Sequence, residues 1–345
     1  MDYCVIIYIV VGDVMVKKKK RKMKKSVKRL FVFLFILICG VVFLFFRSES
    51  TNFKVTVHKV FDEVIKNTKK YKECVNDPKE FTVDNFKEEL KNKETDLKRH
   101  FNSNANFTYV DLKTDYTFDK SGDSESYAAS VSKLPAVIYT YHLADEGKID
   151  LNKELKYTSN YSHGGSGVIQ KDKVGSKYTI DKLLEYAIKY SDNIAYFMIL
   201  DQIGGTSNVK KYWENLGVKI TYTDKFGNLS TNLGAGYLKE AYKYFLTNKD
   251  NAKKLYNNMK VSDNLDFIKN EGITYDMPHK YGWYESYYND ISIVMSNHPY
   301  ILTITSTKGF NNSTKNYFLK AHKLALEFND EYYKEKSEYC IQKVY

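Results

Sequence analysis

The sequence predicts an α+β fold: one antiparallel sheet with helices packed on it, and an all-helical subdomain inserted within it. Three observations carry this. Strand-like alternation occurs early and late in the main body, apolar helices fill the stretch between, and no repeat or low-complexity tract follows residue 29. With 345 residues, 43% of them hydrophobic and 28% charged, the chain can bury a sizeable core.

The elements follow in order. Residues 17–29, KKKKRKMKKSVKR, carry ten basic side chains and no acid. That leaves 43 of the 53 basic and 40 of the 42 acidic residues from residue 30 onward, a net of +3 within an overall +11. The basicity is a tail, so a nucleic-acid partner loses its main support. Next comes LFVFLFILICGVVFLFF, residues 30–46, uncharged throughout. At helical rise it covers roughly 25 Å, enough for a thin or locally adapted bilayer. The basic residues on its N-terminal side predict a single-pass protein of the cell membrane, with a cytoplasmic tail that also favours anionic lipid and an outward-facing body. A cleaved signal peptide is the rival reading, but the following RSESTN offers no small-x-small cleavage site. An earlier apolar run, CVIIYIVV, is too short to span, and Met15 is an alternative start.

Residues 47–83 are polar and Lys-rich and read as a partly helical stalk, followed by a body over 84–345. Within that body, DNFKEELKNKETDLKRHF (84–101) reads as an exposed helix laced with opposite charges. Residues 106–119 alternate as a strand pair. A helix from Ser132 to about Glu146 stops at Gly147. Apolar helices over 179–190 and 193–205 break at Ser191-Asp192-Asn193. ISIVMS and YILTITS flank Asn297-His298-Pro299 as strand, turn and strand, and a helix from about Ser313 to Glu338 ends the chain. Asn289-Asp290, ahead of ISIVMS, reads as a turn or capping pair, and His279 as a structural residue. Cys74 and Cys340 lie near the two ends of the outward part; paired and unpaired states both stay open. No Cys/His spacing suits zinc, and GGSG at 164–167 is a turn rather than a phosphate cradle, so no metal or cofactor is expected.

One stretch raises a chemical question. YAASVSKLPAVIYTY, residues 127–141, places Lys133 at the head of an apolar helix, where a buried ammonium is costly. Pro135 is tolerated only in a first helical turn, so Ser130 stands at or just before the helix start. There, free backbone N–H groups favour developing negative charge. Lys133, three residues on, shares the face of Ser130, and once desolvated it can accept the hydroxyl proton. Ser-x-x-Lys is a cheap pattern and recurs at Ser207–Lys210. The series is more demanding: Ser130-x-x-Lys133, then Ser191-Asp192-Asn193 after 61 residues, then Lys280-Tyr281-Gly282 after 89 more. Neither Ser207 nor Ser262 begins a comparable series.

On these motifs, and on the text around them (AASVSKLPAVIYTYHLADEGKIDL, GSGVIQ…GSKYTIDKLLEYAIKYSDN and HKYGW), residues 84–340 resemble the penicillin-recognising serine enzymes, most closely the class A β-lactamase-like domain. The resemblance implies a β-lactamase/transpeptidase-like fold and an acyl-enzyme formed on Ser130. It implies Lys133 as the proton partner and Ser191 as a relay to the leaving nitrogen. Asn193 would hold the substrate amide, and Lys280 would anchor the substrate carboxylate. The backbone N–H groups of Ser130 and Trp283 would form the oxyanion hole, with Gly282 beside them. The implied partners are β-lactams or peptidoglycan stem peptides. Two departures stand out. Tyr281 replaces the family's small hydroxyl residue, as a substrate contact or as a packing tyrosine. Residues 218–238, where the family carries a deacylating glutamate, hold Asp224 as their one acid. Slow deacylation is the expectation; a non-catalytic sensor that binds penicillin or muropeptides is the alternative.

Overall fold

The computed structural model describes residues 59, 61–222, 224–262 and 272–344. The basic tail, the apolar segment 30–46 and the first part of the stalk lie outside the described residues. Among the described residues no helix is long and apolar enough to cross a membrane. The chain divides into two compact units: residues up to Phe81 with Lys336 onward, and Thr82–Glu335.

In the first unit, helix α1 (Lys69–Asn76) starts where the Thr68 side chain accepts from the Tyr71 amide. Cys74 is joined to Cys340, with 5.8 Å between their Cα atoms. The Tyr71 hydroxyl sits 2.8 Å from Ser337 Oγ, and the Phe81 and Tyr339 rings meet at 5.6 Å. The pairing that the sequence left open is therefore made.

The second unit opens with α2 (Glu88–His100), whose first amides are bound by a buried carboxylate: Lys87 N and Leu90 N donate to Glu335 at 2.8 and 3.3 Å. Strands β1 (Ala105–Asp111), β2 (Thr117–Lys120) and the short β3 (Ser126–Tyr127) follow. Helix α3 (Lys133–Asp145) ends as expected, with Gly147 in the left-handed region at φ +69°. Strand β4 (Glu154–Lys156) pairs with β5 (Lys177–Thr179). Helices α4 (Ile180–Lys189), α5 (Asn193–Gln202) and α6 (Gly205–Asn215) come next. Strand β6 (Asn228–Leu229) pairs with β3 and leads into α7 (Thr231–Leu246) and α8 (Asp250–Lys260). Strands β7 (His279–Tyr284), β8 (Tyr287–Val294) and β9 (Tyr300–Ser306) precede α9 (Asn312–Val344).

One antiparallel sheet runs β2-β1-β9-β8-β7, so early and late strands meet in its middle and the helices between them form the insertion. This is the α+β architecture predicted. Helix α5 is buried from Asn193 to Leu200, which explains its apolar character on every side. Helix α7 lies flush against the sheet because Gly234 has no side chain: a Cβ there would stand 2.8 Å from Ile291 and 3.3 Å from Thr303. Three hydroxyls lock that contact, Thr108 to Thr231 at 2.7 Å and Thr303 to the Thr231 carbonyl at 2.9 Å.

Some readings need correction. Asn289-Asp290 is neither turn nor cap but the interior of β8, where Asn and Asp are disfavoured unless their polar atoms are bound. Here both are: Asp290 Oδ1 lies 3.0 Å from His279 Nδ1, and Asn289 Nδ2 donates to the Tyr127 carbonyl at 2.9 Å. His279, fully buried in that pair, is structural as read. The late strands number three rather than two, and helix α7 claims residues from Thr231 on of the segment first taken as the loop.

Because the disulfide closes 266 residues of chain, Cys340→Ser should destabilise the protein by about 2–4 kcal/mol, read as a lower denaturation midpoint. Intact mass should rise by two hydrogens on denaturing reduction.

Candidate active site

Ser130 lies in a single tight turn, Ala129–Ser132, that feeds directly into α3. Ala129 is forced to φ +48°, a conformation that costs a non-glycine residue about 1 kcal/mol or more. The turn presents Ser130, partly exposed, above Lys133, which is wholly buried. The two side chains meet at 2.7 Å.

Lys133 Nζ has three further oxygens around it: the Ser191 carbonyl at 2.6 Å, Asn193 Oδ1 at 2.7 Å and Ser191 Oγ at 3.2 Å. Among the described residues it has no carboxylate partner. Burial, and next the like charge of Lys280, hold its ammonium well below the usual lysine range; Asp192 opposes them weakly. A neutral amine fits this cage. Its two hydrogens go to the Ser191 carbonyl and Asn193 Oδ1, and its lone pair faces the Ser130 hydroxyl.

Ser191, Asp192 and Asn193 make the break between α4 and α5, and each does something different. Ser191 adopts φ +52° and its Oγ bridges two amines, Lys133 at 3.2 Å and Lys280 at 3.0 Å. Asp192 caps α5 through Ala195 N at 2.9 Å and accepts from Val168 N and Ile169 N at 2.6 and 2.8 Å. That ties the glycine-rich turn to the site, and Gly167, at φ +123°, leaves the room this requires. Asn193 Nδ2 donates to the Gly164 carbonyl at 2.9 Å, with exposed His163 at 3.4 Å.

Strand β7 forms the far wall and the sheet edge. Lys280 reaches Ser191 Oγ and Gly282 closes on the serine turn; between them Tyr281 is 6% exposed, its ring centre 4.5 Å from Lys280 Nζ and stacked on His279 at 6.2 Å. A Cβ on Gly282 would stand 2.7 Å from Ser130 N and 2.8 Å from the Ala128 carbonyl, so only glycine lets strand and turn close. Trp283 follows, 46% exposed and stacked on Phe310 at 5.4 Å.

The loop before α7 brings an aromatic ring where a base was sought. Phe226 stands 5.6 Å from Lys133 Nζ and packs on Phe197 at 5.8 Å. Asp224 is exposed, and its carboxylate accepts from Phe226 N at 2.7 Å, Gly227 N at 3.0 Å and the Tyr127 hydroxyl at 3.3 Å. It shapes the loop. Sequence reasoning missed Phe226, His163 and the anchoring Asn289. A glycine-rich turn beside a histidine was the one available signal for His163. Among the described residues no cluster of His, Cys, Asp or Glu could hold a metal ion.

Ser130, Lys133, Ser191, Asn193 and Lys280, separated by up to 150 positions, thus converge on one centre, a serine hydroxyl paired with a desolvated amine. A model of the β-lactamase enzyme family matches residues 85–326, and the chain belongs to that family. A β-lactamase of Bacillus licheniformis is 27% identical over 143 residues, which cover 41% of this chain and 45% of that protein. The chain thus matches less than half the length of this curated relative. Among solved structures, a leucine-to-glutamate mutant of PBP-A, an acyl-enzyme complex with penicillin G, superposes with a TM-score of 0.64 at 19% identity, covering 70% of this chain and 97% of that one. A β-lactamase from Sphaerobacter thermophilus gives 0.60 at 18% identity, covering 69% and 95%. The solved structures share the fold.

Gly282→Ala should push β7 off the serine turn. The expected result is acylation slowed by at least tenfold with the denaturation midpoint little changed, since the clash sits at the sheet edge.

Proposed function

We propose that this protein is a membrane-anchored, outward-facing serine acyl-transfer enzyme. Its Ser130 is acylated by β-lactams or by wall peptides ending in D-Ala-D-Ala, and the acyl group leaves slowly. The observation that carries the reading is the 2.7 Å contact between Ser130 Oγ and a lysine with no carboxylate partner among the described residues. Neutral Lys133 takes the hydroxyl proton as Ser130 attacks the carbonyl. The negative charge that develops is held by the backbone N–H groups of Ser130 and Trp283. Ser191, between the two amines, passes a proton to the leaving nitrogen. Asn193 holds the substrate amide and Lys280 the carboxylate, while the Tyr281 ring packs beside the Lys280 ammonium. That a PBP-A mutant forms a penicillin G acyl-enzyme on this fold supports the substrate class.

Slow deacylation follows from Phe226. Hydrolysis needs a base beside a water on the ester, and the ring facing Lys133 supplies neither base nor polar site. The anchor rests on residues 17–46, whose basic flank and apolar run set the topology.

A reporter penicillin should label the full chain covalently in detergent, and Ser130→Ala should abolish the label. With a chromogenic cephalosporin, a burst without steady turnover is expected. Sustained turnover would contradict slow release, and no acylation by any β-lactam class would leave only a non-covalent binding role. The acylation rate should rise with pH as Lys133 loses its proton, with a midpoint below that of an ordinary lysine. Lys280→Ala removes a like charge, so Lys133 holds its proton more tightly and the midpoint should move to higher pH. A midpoint that stays put would show that Lys280 does not tune Lys133.

A further inference from the structure

Beside the catalytic centre, and unused by the chemistry above, lies a cavity of about 430 Å³. Its walls include Phe197, Lys225, Asp201, Tyr161 and Thr206. Phe197 is the shared partition: its ring meets Phe226 at 5.8 Å and His163 at 5.0 Å. Phe226 in turn faces Lys133, and His163 adjoins Asn193. The cavity therefore adjoins the side of the site where Asn193 would hold the substrate amide.

The charges in the cavity are few and of both signs. Lys225 is exposed, with its Nζ 4.1 Å from the centre of the Phe197 ring. Asp201 is exposed too; one of its oxygens accepts from the Tyr161 hydroxyl at 2.7 Å, which orients the carboxylate. Among the described residues neither Lys225 nor Asp201 has an ion-pair partner. A purely anionic group would meet Asp201, a purely cationic one Lys225, and a neutral apolar group would desolvate both without return. A ligand with one ammonium and one carboxylate satisfies each charge, while its methylene stem lies on Phe197.

We propose that this cavity binds a zwitterionic amino-acid head group at the end of the acyl side chain, ammonium to Asp201 and carboxylate to Lys225. The inference rests on the acyl-transfer reading and narrows its substrate class to acyl donors bearing a free amino-acid terminus.

The test compares two cephalosporins on the full chain. Cephalosporin C carries an α-aminoadipyl side chain that ends in a free amino acid; the glutaryl analogue keeps a carboxylate and lacks the ammonium. Acylation rates are read by mass spectrometry, with benzylpenicillin as a control that leaves the cavity empty. Cephalosporin C should react about tenfold faster than the glutaryl compound, the scale of one charge-assisted contact. Asp201→Asn should erase most of that preference, Lys225→Ala should slow both cephalosporins alike, and both variants should leave the benzylpenicillin rate unchanged. Equal rates for the two cephalosporins, a preference that survives Asp201→Asn, or cephalosporin rates untouched by Lys225→Ala would overturn the proposal while the acyl-transfer reading stands. Titration of free D-α-aminoadipate into the Ser130→Ala chain reads the cavity without acylation. Saturable binding lost in the Lys225→Ala double variant supports the proposal; no binding overturns it, even if no β-lactam reacts.

Discussion

The site depends on one constraint: the Lys133 amine is held in a buried cage of oxygens, with no carboxylate partner among the described residues. An ammonium there would be desolvated and repelled by Lys280. Both effects favour the free amine, whose hydrogens and lone pair match the neighbours provided. Ser191 gives a carbonyl, Asn193 an amide oxygen, and Ser130 a hydroxyl. Burial, usually a penalty for lysine, is what the proposed role of Lys133 as a base requires.

The backbone is bent to build that cage, and the bends occur at the reacting groups. Ala129 and Ser191 both take positive φ, on either side of the same amine. Such strain persists where surrounding contacts fix it. Asn289 holds the chain ahead of Ser130, Asp192 holds the turn beside Asn193, and Gly282 lets the edge strand close on the nucleophile. Opposite these, the Phe226 ring faces the lysine, backed by Phe197.

Much of this was legible in the sequence, for identifiable reasons. Pro135 marked the helix start and so gave Ser130 and Lys133 their shared face. Ser191-Asp192-Asn193 stood out because it interrupts two apolar helices. What stayed hidden depended on tertiary contact. Asp290 and Asn289 looked like a turn because their strand position is tolerable only once His279 and the Tyr127 carbonyl bind them. Phe226 was invisible as a site residue because an aromatic in a loop declares nothing about which side chain it will cover. Tyr281 stayed open between contact and packing because only the folded structure shows its ring buried, against His279 and 4.5 Å from Lys280 Nζ.

The charge state of Lys133 is the claim on which the mechanism stands. It can be read directly from the side-chain carbon resonances of protein labelled with ¹³C-lysine, with the Lys133 signal assigned by its loss in Lys133→Met. A signal at the position of a neutral amine near pH 7, protonating only on acidification, is the predicted result. A Lys133 resonance that remains at the ammonium position up to the pH where exposed lysines titrate would contradict the account.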